Sequence, residues 1–105
     1  MPCPVSRRRR ESALEARAVK YARSKGVVVA KLEKLDGVPD RIFFVPGGRP
    51  LVVEFKARGL RPEELQSWYI QKLTADGYRV VSCDTWEKFL VLMEKYDRLR
   101  LRRAQ

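Results

Sequence analysis

Residues 37–56 read GVPDRIFFVPGGRPLVVEFK. Two short apolar runs, Arg41 to Val45 and Leu51 to Phe55, flank Pro46-Gly47-Gly48, which is the composition of a β-hairpin. Ionisable residues gather at the end away from the turn: Asp40 opens one strand, and Glu54 and Lys56 close the other. If the strands pair so that residue numbers sum to 94 or 96, Asp40 lies opposite Glu54 or Lys56. Glu54 and Lys56 are two apart and share a face, while Val53 and Phe55 take the other. A slip of one residue would bury the charges and expose Val53 and Phe55, so the apolar pattern opposes it. Two carboxylates and one ammonium therefore converge on one side of a small sheet.

Such a cluster suits a hard divalent cation. Mg²⁺ takes oxygen ligands at about 2.0–2.1 Å, keeps several waters, and binds through one or two carboxylates plus a substrate phosphate. It equally suits a surface ion pair contributing about 0–1 kcal/mol, and an isolated E-x-K does not separate the two. The chain has no histidine and two distant cysteines, Cys3 and Cys83, which excludes a zinc centre and a disulfide framework. Oxygen ligation leaves Mg²⁺ or Mn²⁺ as the metal. No other small-molecule cofactor is expected.

A chain of 105 residues, 45% hydrophobic and 34% charged, fits one soluble domain. No apolar run approaches the ~20 residues of a membrane span, and no apolar stretch follows the N-terminal arginines as in a secretory signal. Reduced thiols and a cytoplasmic protein without a membrane partner are the expectation. The formal net charge is +10, but Arg7, Arg8, Arg9 and Arg10 precede the folded part and Arg98, Arg100, Arg102 and Arg103 follow it. Without these eight, 15 basic residues face 13 acidic ones. The expected organisation is a core at 11–97 with basic arms at 1–10 and 98–105. Basic arms of this kind serve solubility or bind a polyanion, above all nucleic acid.

The remaining pattern alternates helices and strands. A helix is expected from Ser12 to Lys25, with Leu14, Ala18, Tyr21 and Ala22 on one stripe, a capping box from Ser12 to Glu15, and a stop at Gly26. Val27 to Leu32 reads as a strand, and Glu33 to Val38 as a polar loop. After a loop at 57–61, Pro62 stands at the first position of a second helix, whose Leu65, Trp68, Tyr69 and Leu73 are expected in the core before a stop at Gly77. Tyr78 to Cys83 is a fourth strand. Asp84 and Glu87 are expected to cap a last helix turning Trp86, Phe89, Leu90 and Met93 inward. The order α-β-β-β-α-β-α is that of an α/β protein.

Pro39-Asp40 followed by Glu54-Phe55-Lys56 resembles the PD-(D/E)XK nuclease signature. Within that superfamily, Glu11 to about Glu94 resembles the VRR-NUC (virus-type replication-repair nuclease) family in its stand-alone form. The resemblance is carried by ESALE at 11–15, GVPDR at 37–41, PGG at 46–48, VVEFK at 52–56, LRPEELQ at 60–66 and GYRVVSCDTWEKF at 77–89. It implies a restriction-endonuclease-like α-β-β-β-α-β core with a C-terminal helix and a mixed central sheet flanked by helices. It implies a Mg²⁺- or Mn²⁺-dependent endodeoxyribonuclease of DNA repair, acting as a homodimer on branched DNA such as Holliday junctions.

The roles it implies fall on individual residues. Asp40 and Glu54 match the metal-binding acids, Lys56 the catalytic lysine, and Gln66 a glutamine of the second helix at the site. The backbone carbonyl of Phe55 and the Glu15 carboxylate match further metal ligands, with Glu11 as the alternative acid. Glu15 also reads as half of a capping box, and Gln66 as an exposed helical glutamine. Arg58 and Arg61, just past the catalytic strand, join Arg7, Arg8, Arg9 and Arg10 as DNA-binding candidates. The competing function is a non-catalytic basic DNA-binding or replication and packaging accessory protein.

Overall fold

The structure is a computed structural model and describes residues 7–33 and 35–104. Cys3 and the remainder of residues 1–6 lie outside it, as do the side chains of Arg7, Arg100, Arg102 and Arg103. Seven elements follow in the expected order: α1 (Arg7–Ser24), β1 (Val28–Lys31), β2 (Arg41–Phe44), β3 (Leu51–Phe55), α2 (Glu64–Ala75), β4 (Arg79–Cys83) and α3 (Trp86–Ala104). No helix among the described residues is long and apolar enough to cross a membrane.

The four strands form one mixed sheet in the order β1-β2-β3-β4. β1, β2 and β3 are antiparallel, and β3 pairs parallel with β4 through the α2 crossover. In the hairpin Arg41 faces Val53, Ile42 faces Val52 and Phe43 faces Leu51, so the pairs sum to 94. Gly47 and Gly48 supply the positive φ angles of its turn. β3 is the interior strand between an antiparallel and a parallel neighbour, and every residue from Leu51 to Ala57 is buried.

The two faces of the sheet differ in chemistry. Val29, Phe43, Leu51, Val53, Phe55 and Cys83 point to α1 and α3, meeting Ala18, Val19 and Ala22 from one helix and Phe89, Met93 and Tyr96 from the other. Aromatic rings fasten this layer: Phe89 contacts Phe43, Phe55, Tyr21 and Trp86 with centroids 5.6–6.3 Å apart. The Tyr21 hydroxyl donates to Asp97 Oδ2 at 2.7 Å, tying α1 to α3. The opposite face carries Val52, Glu54 and Val80 and is partly covered by α2.

Several boundaries differ from expectation for local reasons. α1 starts at Arg7, not Ser12, so Arg7–Arg10 form its first turns instead of preceding it, and Ser12 caps nothing. α3 runs to Ala104 and takes the C-terminal arginines into the helix. Its first turn is capped by Thr85, whose Oγ1 accepts the Lys88 N–H at 3.2 Å, while Asp84 accepts from Gly59 N and Lys88 Nζ. The N-cap of α2 is Glu63 and its first residue Glu64, so Pro62 stands two residues further out than expected.

α2 buries none of its residues fully. Trp68 is 55% exposed and Leu65 49%, so neither joins the core as expected. Leu90 is likewise exposed, and Tyr96 fills the place expected of it. What holds α2 on its inner side is close approach. Gly37 has φ +82°, and a Cβ built there would collide with the Leu65 side chain.

That contact gives a stability prediction. Gly37→Ala must adopt a left-handed backbone, costing about 1–2 kcal/mol, and overpack Leu65, costing about 1–3 more. Denaturant unfolding should show both losses in the single variant. The double variant with Leu65→Ala should recover the steric part relative to Leu65→Ala alone and keep the backbone part.

Candidate active site

The loop 35–40 leads from β1 back into β2 and delivers Asp40 to the strand entrance. Asp40 N donates to Val53 O at 3.1 Å, the residue that Arg41 already faces, so Asp40 is held one step outside the regular register and beside Glu54. The Asp40 carboxylate is then pinned from the other strand, because Phe55 N donates to its Oδ2 at 2.8 Å. Phe55 thus serves the site through its amide, while its ring is fixed in the aromatic core.

Glu54 is 2% exposed and Lys56 8%. Lys56 Nζ lies 3.9 Å from Glu54 Oε1, and Gln66 Nε2 donates to that same oxygen at 3.1 Å. Gln66 Oε1 accepts the Glu63 N–H at 2.9 Å, so its amide is oriented by the start of α2 and must turn its NH₂ to Glu54. Among the described residues, Glu54 Oε2 is the buried side-chain oxygen with no hydrogen-bond partner. Leaving such an oxygen unpaired costs about 1–3 kcal/mol, and more if it is charged.

Electrostatics follow from this enclosure. Burial, and next the Asp40 carboxylate, push the Glu54 carboxyl up to about 8, against the pull of Lys56. Asp40 is raised as well, by burial first, with the Phe55 amide opposing and the Glu15 charge adding to the rise. Two carboxyls both raised by burial, the Glu54 one further by Asp40 and with an unpaired oxygen, form an oxygen donor set short of positive charge. That set fits a hard divalent cation held through one or two carboxylates, with water and phosphate completing its shell. Among the described residues no group of three or more His, Cys, Asp or Glu side chains gathers to form a complete cage.

The first-helix acids are disposed differently from expectation. Glu15 Oε2 accepts from Arg41 Nε at 2.6 Å, a mostly buried pair that ties α1 to β2. Glu11 Oε1 accepts the Ala57 N–H at 3.3 Å and lines the cleft beside Lys56. The structure therefore sets Glu15 near Asp40 but in the hand of an arginine, and Glu11 near the Glu54–Lys56 end. Arg41 was not marked by the motif reading. Strand alternation carries the signal that finds it: Arg41 shares the core face with Phe43, where a lone cation requires an acid from the helix above.

A cleft of about 410 Å³ opens over Lys56, lined by Arg8, Glu11, Leu60, Arg61, Glu63 and Gln66. Arg61 and Arg8 thus reach the site; Arg58 and Arg10 line a second cleft of about 250 Å³ on the other side of Lys56. Arg9, on α1 between them, is exposed and lines neither.

The raised Glu54 carboxyl gives a stability prediction with a definite sign. The fold binds that proton more tightly than the unfolded chain, so in EDTA there is no penalty below pH 4.5 and a growing one up to about pH 8. Glu54→Gln removes the titrating group. Subtracting its unfolding free energy from that of the native chain should give a difference that falls with rising pH by on the order of a few kcal/mol across this window.

No family model matches the chain. A solved "VRR_NUC domain" superposes with a TM-score of 0.75 over 83% of this chain and 97% of its own length, at 23% identity, and this establishes the fold. The protein called "Putative nuclease p44" of Acyrthosiphon pisum secondary endosymbiont phage 1 is 32% identical over 85 residues, spanning 79% of this chain and 91% of that protein. The alignment is nearly end to end on the phage protein, and the sheet brings the Pro-Asp and Glu-x-Lys motifs together. On these grounds the chain belongs to the VRR-NUC family of PD-(D/E)XK nucleases.

Proposed function

We propose that the chain is a divalent-metal-dependent endodeoxyribonuclease that cuts branched DNA such as Holliday junctions. The observation that carries this reading is buried Glu54, with its unpaired Oε2, between half-buried Asp40 and Lys56. A non-catalytic DNA-binding protein has no use for a carboxylate whose enclosure costs stability.

Asp40 and Glu54 would hold Mg²⁺ or Mn²⁺ between them, with the Phe55 carbonyl and either Glu15 or Glu11 as the further candidate donors. When bound, the ion polarises the phosphate and makes water a competent nucleophile near neutral pH. The residues of the chain do the rest. Gln66 keeps the Glu54 carboxylate in one orientation, so that Oε2 faces the site. The Lys56 ammonium, fixed on the same strand, meets the scissile phosphate as negative charge builds on it. Arg61 and Arg8, on the walls of the cleft, would take neighbouring phosphates, as would Arg58, Arg9 and Arg10, with Arg7, whose side chain lies outside the described structure, as the further candidate.

A homodimer deepens the reading, since cutting a junction requires two sites on two strands. An apolar strip supports it: Val28 and Phe44 face each other across β1–β2 and are 67% and 51% exposed, where an isolated small domain gains nothing from exposing them.

The test is incubation with four-way junctions, flaps and linear duplexes in Mg²⁺, Mn²⁺ and EDTA. Cleavage of branched substrates in metal and none in EDTA is the expected result; equal cutting of linear duplex would overturn the branched preference. Asp40→Ala and Glu54→Ala should abolish cleavage while DNA binding stays equal or tightens, because each removes a negative charge near phosphate. Lys56→Ala should slow single-turnover cleavage about 10²–10³-fold, the usual cost of losing one transition-state charge contact.

A further inference from the structure

Lys56 borders two clefts, and their charges differ. The site cleft sets Lys56, Arg8 and Arg61 against Glu11 and Glu63. The second cleft sets Lys56, Arg10, Arg17 and Arg58 against one acid, Asp84. That acid is already engaged: Asp84 accepts from Lys88 Nζ at 2.7 Å and from Gly59 N at 2.9 Å, interactions that hold its carboxyl low. The second cleft is thus the more strongly positive of the two, although it lies beyond the carboxylate pair.

Helix geometry explains how the arginine run is divided. At about 100° per residue, Arg8 and Arg10 stand roughly 200° apart and enter opposite clefts, whereas Arg10 and Arg17, seven apart, return to one stripe. Ala13 and Leu14 lie between them as an apolar floor. Arg17 is also fixed in place, its guanidinium carbon 4.0 Å from the centroid of the Trp86 ring. A stacked, exposed guanidinium keeps its hydrogen-bond donors free at the edge and loses little entropy on meeting an anion.

We propose that this second cleft seats backbone phosphates of the substrate strand on the side of Lys56 away from the carboxylate pair, with Arg17 and Arg58 as its principal contacts. The inference rests on the nuclease reading for the identity of the partner. The strand crosses Lys56 as a saddle, and the clefts on either side hold the phosphates that flank the scissile one. Arg17 belongs to none of the nuclease motifs.

Binding is measured in EDTA, so that no strand is cut, with the full chain in a Trp68→Phe background that leaves Trp86 the sole tryptophan. A short duplex should alter Trp86 fluorescence, because Arg17 lies on its ring. The slope of log K against log salt should become shallower by about 0.9 for Arg17→Gln and again by about 0.9 for Arg58→Gln, with binding weakened at every salt concentration. Arg17→Lys should keep the slope and lose the fluorescence response, which separates charge from any effect on folding. Lys20→Gln, an exposed cation elsewhere on α1, should leave both unchanged. Unchanged slopes in both Arg17→Gln and Arg58→Gln overturn the proposal even if the chain cuts DNA. Shallower slopes in a chain that cuts nothing would uphold the phosphate seat and overturn the nuclease reading instead.

Discussion

A glutamate held almost without solvent in the interior strand of the sheet is the constraint around which this small protein is arranged. β3 lies between β2 and β4, so both its edges are paired, and Glu54 on it is only 2% exposed. A buried carboxylate is tolerated only with compensation. Here compensation is partial: one oxygen receives Gln66 and stands near Lys56, and the other receives nothing. The neighbouring Asp40 carboxyl makes the deficit worse. Functional sites are where proteins retain such unfavourable arrangements, and stability is recovered in the aromatic layer beneath.

The division of labour between the sheet's faces makes that possible. One face is closed by α1 and α3 around Phe43, Phe55 and Phe89, and it supplies the cooperative core. The other face carries the charges and is covered by a helix that buries no residue fully. α2 is attached to the site as much as to the core, through Gln66 on Glu54 and Leu65 against Gly37. Its position and the orientation of the Glu54 carboxylate are consequently one problem. Phe55 joins the two faces: its ring lies in the core while its amide fixes Asp40.

The hairpin was legible because three signals agreed. Its turn residues, its alternation and its charged end all selected one register, and that register is the one observed. Helix boundaries were less legible. Ser12 offers a capping pattern, but Arg7 to Glu11 have adequate helical propensity and α1 extends backwards through them. Leu65 and Trp68 sit at the correct spacing for a core stripe, and periodicity alone does not reveal that both stay about half exposed on this helix.

By itself the sequence determined the order of elements, the hairpin register and the convergence of Asp40, Glu54 and Lys56, since these depend on neighbours close along the chain and on the strict two-residue period of a strand. Tertiary structure alone decided how deeply Glu54 is buried, because that depth comes from β4 and α2 closing over β3. It also decided which acid of α1 meets which partner. Glu11 and Glu15 are one turn apart and equivalent as text, yet the crossing of α1 over the sheet gives Arg41 to Glu15 and the Ala57 amide to Glu11. The same crossing sends Arg8 and Arg10 to opposite sides of Lys56. The physical reason is that a helix fixes only relative angles among its own side chains, and the angle at which it lies on the sheet converts those into partners.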